Sequence, residues 1–112
     1  MVLGILLLVC GGFNHALCGA ETAFASVQEV PAWICTLSDD DLADGFTVAR
    51  ADNVTDVATC RNVDMPYTAG VKYTSVLDDF IVSSNVKAST ENVDLDFAYS
   101  DHNPVLLHFT LT

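Results

Sequence analysis

Cations are scarce in this 112-residue chain: Arg50, Arg61, Lys72 and Lys87 are its only Lys or Arg residues, against fifteen Asp and Glu. With a net charge of −11, it has no basic stripe to neutralise a phosphate backbone, so unaided duplex binding is disfavoured. Hydrophobic runs are also short. The longest apolar stretch near the N-terminus, Val2 to Cys10, is far below the length needed to cross a bilayer, so no membrane partner is expected. The four cysteines, Cys10, Cys18, Cys35 and Cys60, contain no Cys-x-x-Cys, which argues against a zinc site. Low-complexity tracts, linkers and internal repeats are lacking, which excludes solenoid and array architectures.

Half of the residues are apolar and 17% are charged, which suits a small folded core better than intrinsic disorder. A single domain is the most this length holds. Val2 to Cys10, followed by Gly11-Gly12, reads as a fully buried strand running into a turn. Leu17-Cys18-Gly19-Ala20 also has the small residues of a signal-peptidase site, but no Lys or Arg precedes the apolar run. An intracellular setting with reduced thiols is therefore the favoured expectation. The alternative is a small secreted binding domain, cleaved after Ala20, with Cys35 and Cys60 paired in one disulfide. Asn53-Val54-Thr55 fits the glycosylation sequon, a pattern too frequent to place the chain outside the cell.

Further on, Glu21 to Val30 has Ala23, Phe24, Val27 and Val30 at helical spacing, and Pro31 ends it. Ser38-Asp39-Asp40-Asp41-Leu42 predicts a second helical turn, with Ser38 as N-cap and the aspartates complementing the dipole. Its spacing lacks the alternating ligands and Gly of a calcium loop. Ala51 to Gly70 is polar and aperiodic and reads as a surface loop. Strands are expected at or near Lys72–Thr74, over Val76–Ser83 and over Val105–Leu111. In the last of these, Val105, Leu107, Phe109 and Leu111 alternate onto one face. His108 falls on the opposite face with Leu106 and Thr110, as a structural strand residue. The expected class is α+β, mostly one β-sheet with one or two short helices.

The last third carries the candidate chemistry. Leu77-Asp78-Asp79-Phe80-Ile81-Val82-Ser83 is followed by Ser100-Asp101-His102-Asn103-Pro104-Val105. An imidazole held by a carboxylate has a fixed tautomer and accepts or donates a proton at a phosphate. Asp78 and His102 are the candidates for that pair, with Asp101 facing a metal or its waters. This order of motifs resembles the end of the endonuclease/exonuclease/phosphatase superfamily of metal-dependent phosphoesterases. Within it, Thr74 to Ser83 looks closest to the endonucleases of non-LTR retrotransposons, and the Trp-Cys-Asp-Arg run of the inositol-phosphatase branch is missing. Gly11-Gly12-Phe13-Asn14 is similar to the superfamily's Gly-Asp-Phe-Asn, with Gly12 where the family has Asp.

The resemblance implies the C-terminal half of a four-layered α/β/β/α sandwich, so residues 1–112 form a partial domain whose missing N-terminal half is an expected partner. It implies a Mg²⁺-dependent phosphoesterase, endonuclease-like, acting on a phosphodiester such as DNA. The catalytic residues carried over are His102, its supporting Asp78, and Asn14, which orients the phosphate; Asp101 is the carboxylate near the metal. With Gly12 replacing an essential carboxylate and the first-half metal ligands lacking, the isolated chain is expected to be inactive or nearly so.

Overall fold

The computed structural model describes residues 7–13, 15–17, 37–61, 67 and 74–111. Over these residues the chain is sheet-rich. Seven strands run in the order β1 (Leu8–Gly12), β2 (Phe46–Val48), β3 (Cys60–Arg61), β4 (Thr74–Ser75), β5 (Asp78–Ser83), β6 (Val86–Asn92) and β7 (Val105–Leu111). They do not form the one sheet expected. Three small antiparallel sheets result: β1-β5-β2, the pair β3-β4 and the hairpin β6-β7. The chain turns at Ser84–Asn85. Strands β5 and β6 are joined by this two-residue turn, yet β6 leaves the first sheet and pairs along its whole length with β7, from Val86↔Leu111 to Asn92↔Val105.

Strand β1 is not the fully buried strand expected from Val2 to Cys10. It starts at Leu8, with residues 1–6 outside the described set, and Val9, Cys10, Gly11 and Gly12 are exposed. Its place in the sheet explains this: among the described residues β1 lies on the edge and pairs with β5 alone, from Leu8↔Val82 to Gly12↔Asp78. The expected strand over Val76–Ser83 begins two residues late. Val76 and Leu77 are buried but off the ladder, and their carbonyls accept from the backbone N–H of Leu17 and Phe13 at 2.9 Å each.

The reading of Ala51 to Gly70 as a surface loop is corrected at several positions. Ala51, Val54, Ala58 and Thr59 are buried, and Cys60–Arg61 pairs with β4 as Cys60↔Ser75 and Arg61↔Thr74. A polar, aperiodic segment enters the core here because its backbone is tied down by side chains rather than by a ladder. Asn53 accepts from the Asn92 N–H (3.0 Å) and donates to the Asn92 carbonyl (2.8 Å), and the Asn92 amide donates to the Val57 carbonyl (2.9 Å). That closure brings Ala51 and Val54 against Leu17, Val48 and Val76, with Leu37, Leu42 and Ile81 packed around them.

The helical turn at Ser38 is present as a single 3-10 turn, Asp39–Asp41. Its reciprocal capping rests on Asp41, whose carboxylate accepts the Ser38 N–H at 2.8 Å. Asp39 serves the fold differently, accepting the Val48 N–H at 2.9 Å and so fixing the end of β2. This is the only helical element among the described residues, and the helix expected over Glu21 to Val30 lies outside them.

Strand β7 follows the predicted alternation, but the apolar face runs off the core. Val105 and Leu107 are half-buried, whereas Phe109 and Leu111 are exposed at the far end of the hairpin. On the facing strand Val86, Thr90 and Asn92 are buried, so β6 is the inner strand and β7 the outer one. Among the described residues no helix is long and apolar enough to cross a membrane.

Candidate functional site

The site is assembled where three pieces of chain meet: the end of β1, the start of β5, and the segment 100–103 laid along β3. Thr59 organises the junction. It is fully buried, and its hydroxyl accepts the N–H of Leu77 (3.0 Å) and of Asp78 (3.1 Å). Its own N–H donates to the Ser75 carbonyl (3.0 Å), and its carbonyl accepts the Asn103 N–H (2.8 Å). With the Arg61 N–H donating to the Asp101 carbonyl (3.0 Å), this makes an antiparallel bridge between Cys60 and His102. Asn103, buried beside it, clamps the approach. Its side-chain oxygen accepts from the N–H of Leu95 (3.2 Å) and Phe97 (3.3 Å), and its amide donates to the Ala58 carbonyl (3.0 Å). The Ser100 hydroxyl accepts the His102 N–H at 3.1 Å.

This backbone brings Asp78 and His102 together across 24 positions, with Nδ1 of His102 2.7 Å from Oδ2 of Asp78. A carboxylate only accepts, so the Nδ1–H donates to it, and in the neutral ring the lone pair is left on Nε2. The pair is partly open: the side chains of His102 and Asp78 are 39% and 18% exposed. Nε2 faces Cys60, with Sγ 3.8 Å away. Cys60 is a free thiol, so the Cys35–Cys60 disulfide of the secreted alternative is not formed; Cys35 itself lies outside the described residues. Burial, reinforced by the negative charges of Asp78 and Asp101, pushes the Cys60 thiol up to about 12.

Gly12 lies directly against this pair. A Cβ on it would stand 2.8 Å from Oδ1 of Asp78 and 3.6 Å from Cε1 of His102. The space that a side chain at position 12 needs is thus already taken by the Asp78–His102 pair. Asn14 lies outside the described residues, so its relation to the pair is not described. Asp101 is half-buried; its carboxylate accepts the Ser100 hydroxyl at 3.3 Å. Among the described residues no three His, Cys, Asp or Glu side chains converge to hold a metal ion. His108 is an exposed β7 residue opposite Ser89.

Asp79 points to the other face of β5 and is 2% exposed. Its Oδ1 accepts the Phe80 N–H at 2.8 Å, while Oδ2 is buried with no hydrogen-bond partner among the described residues. Burial pushes its carboxyl up to about 7, opposed by the Phe80 N–H and the Arg50 charge. Sequence reasoning missed Thr59 and Cys60. Neither sits in a recognisable motif, and both act through residues 18 to 42 positions away. No protein-family model, curated protein or solved structure matches this chain.

Proposed function

We propose that the chain is the C-terminal part of a metal-dependent, endonuclease-like phosphoesterase, with His102 and Asp78 as its proton-handling pair. The observation that carries this reading is the 2.7 Å contact between Nδ1 of His102 and Asp78. Two residues singled out from separate motifs meet in a bond that fixes the imidazole tautomer and leaves Nε2 for a phosphoryl oxygen or its proton. Held this way, the ring is fixed in orientation and tautomer by the carboxylate behind it, the logic by which a carboxylate supports histidine in other hydrolytic sites. The substrate is a phosphodiester, DNA being one such. The four-layered sandwich belongs to this same proposal: the described sheets supply one part of it, and the other comes from an N-terminal half acting as partner.

The metal enters with a restriction. Magnesium takes few protein ligands and keeps waters and substrate oxygens in its shell, and Asp101 alone is a partial set. In this proposal, as the family resemblance implies, the rest of the set belongs to an N-terminal half. When bound, the ion would supply charge neutralisation at the phosphate. What this chain itself provides is the oriented imidazole, the buried Thr59 hydroxyl that places Asp78, and the Ser100 and Asn103 contacts that place His102.

The isolated chain is expected to nick plasmid DNA in Mg²⁺ no faster than its His102→Ala variant. Its His102 ring signals, followed by ¹⁵N NMR, are expected to shift on titration with a thymidine dinucleotide in Mg²⁺. Absence of that shift would overturn the assignment of His102 to phosphate. Cleavage that disappears in His102→Ala would instead show that the chain needs no second half.

A further inference from the structure

We propose that the outer edge of β7 is the surface through which two copies of this chain pair, antiparallel and about a two-fold axis at His108. Strand β7 is bonded to β6 on one side, and among the described residues nothing bonds its other side. The Val93 N–H donates to the Pro104 carbonyl at 2.8 Å, so that pair is hydrogen-bonded and the ladder alternates from there. Leu106, His108 and Thr110 therefore exchange bonds with Glu91, Ser89 and Lys87. Val105, Leu107, Phe109 and Leu111 turn their N–H and C=O groups outward. The same residues form the apolar face of the strand, and Phe109 and Leu111 are 50% and 63% exposed. Edges of this kind are ordinarily blunted by Lys, Pro or an inward charge. From Val105 to Leu111 there is no Lys, Arg, Asp, Glu or Pro.

A second copy fits this edge by register and by charge. Two antiparallel β7 strands centred on His108 place Val105 opposite Leu111, and Leu107 opposite Phe109, of the other copy. Every outward residue then meets an outward residue, so the backbone groups satisfy each other along the whole strand. Every cross-strand pair on that face also joins two apolar side chains. A slip by one residue sets outward groups opposite residues already bonded to β6, and a slip by two shortens the overlap. Charge acts in the same direction. At −11 the chain repels its own copy wherever acidic surfaces meet, whereas β7 has no carboxylate, and the charges on adjacent β6, Lys87 and Glu91, are of opposite sign. The rival edges match less well: β1 ends in Gly11-Gly12, which offer no apolar side chain, and β2 is three residues long. Two-fold pairing uses the one β7 edge of each copy, so the assembly closes as a dimer. This surface is independent of the phosphodiester reading, since neither Asp78 nor His102 lies on β7.

The test is analytical ultracentrifugation of the full chain under reducing conditions across a range of concentrations, where a monomer–dimer equilibrium is expected. Phe109→Lys is expected to weaken it by about tenfold or more, although it lowers the net negative charge of each copy. Tyr99→Lys makes the same charge change at a residue 90% exposed and off the strand, and is expected to leave the equilibrium unchanged. Far-UV circular dichroism checks that both variants fold. Position 108 reads the register directly. Opposed residues of a non-hydrogen-bonded pair have Cα atoms about 4.5 Å apart, within disulfide reach. On mild oxidation His108→Cys is therefore expected to give a covalent dimer joined through position 108, as read by peptide mass spectrometry. Thr110→Cys, which falls opposite Leu106, is expected to give no link between its two copies of position 110. A chain that is monomeric at every concentration overturns the proposal and leaves the edge to a different partner. Growth beyond a dimer, a dimer unmoved by Phe109→Lys, or a His108→Cys chain that does not link through position 108 overturns it equally.

Discussion

Replacing Asp79 by Asn should stabilise the chain at neutral and higher pH but not in acid. Asp79 is 2% exposed, one of its oxygens is buried without a partner among the described residues, and its carboxyl is raised from 3.8 to about 7. Between these two values the unfolded chain has released the proton and the folded chain still holds it. Stability therefore falls as pH rises from about 4 to about 7 and is level beyond, the reverse of a carboxylate held by an ion pair. A span of about three pH units at about 1.4 kcal/mol each sets a ceiling near 4 kcal/mol for the cost of ionising Asp79 in the fold. The Asp79→Asn side chain would keep an acceptor for the Phe80 N–H but leave a buried amide donor unpaired, at about 1–3 kcal/mol. The expected net gain is about 1–3 kcal/mol at about pH 8, shrinking to nothing or a small loss at about pH 4. Urea unfolding of both proteins across this range measures it. Taking the difference between variants largely cancels the self-repulsion of the other carboxylates. A difference that does not change with pH would refute the reasoning, because it would mean that Asp79 ionises as easily in the fold as outside it.

Other perturbations probe the site. Thr59→Val keeps the shape but leaves the Leu77 and Asp78 N–H groups without their acceptor, and should cost about 2–4 kcal/mol in denaturant unfolding, whereas Thr59→Ser should recover most of it. Gly12→Ala should push Asp78 away from His102, at a cost of about 1–3 kcal/mol, with the Nδ1–H tautomer signal of His102 lost in ¹⁵N NMR. Gly12→Asp alone should not create nuclease activity, because its Cβ meets the same 2.8 Å obstruction; plasmid nicking by that variant checks it. Asn53→Ala should destabilise by about 1–3 kcal/mol, since both ends of its amide hold Asn92.

Some of the site was legible in sequence because the signals are local. A β-type apolar run after Asp78 and an Asp-His pair before Pro104 need only neighbouring residues to be recognised. The capped turn at Ser38 was equally local, since Asp41 is only three residues away. Thr59 and Cys60 carried no such mark. Their importance comes from the bridge that lays residues 101–103 along β3, a contact spanning 42 positions between Cys60 and His102. The surface-loop reading erred at Ala51, Val54, Ala58 and Thr59 for a related reason: polar composition suggested solvent, but Asn53 and Asn92 satisfy each other and carry Ala51 and Val54 inward.

Sequence by itself determined the sheet-rich character, the alternation of β7, the acidic helical turn and the identities of Asp78 and His102, because propensity, period and capping act within a few residues. Tertiary structure alone decided that β5 and β6 part at Ser84–Asn85 into different sheets, that β1 is an exposed edge, and that Asp79 is buried while adjacent Asp78 faces His102. It alone placed a thiol on Nε2 and filled the space beside Gly12. These outcomes depend on which backbone hydrogen bonds close between distant segments, and on which face of a strand the core then covers. Neither is encoded in the spacing of residues along the chain.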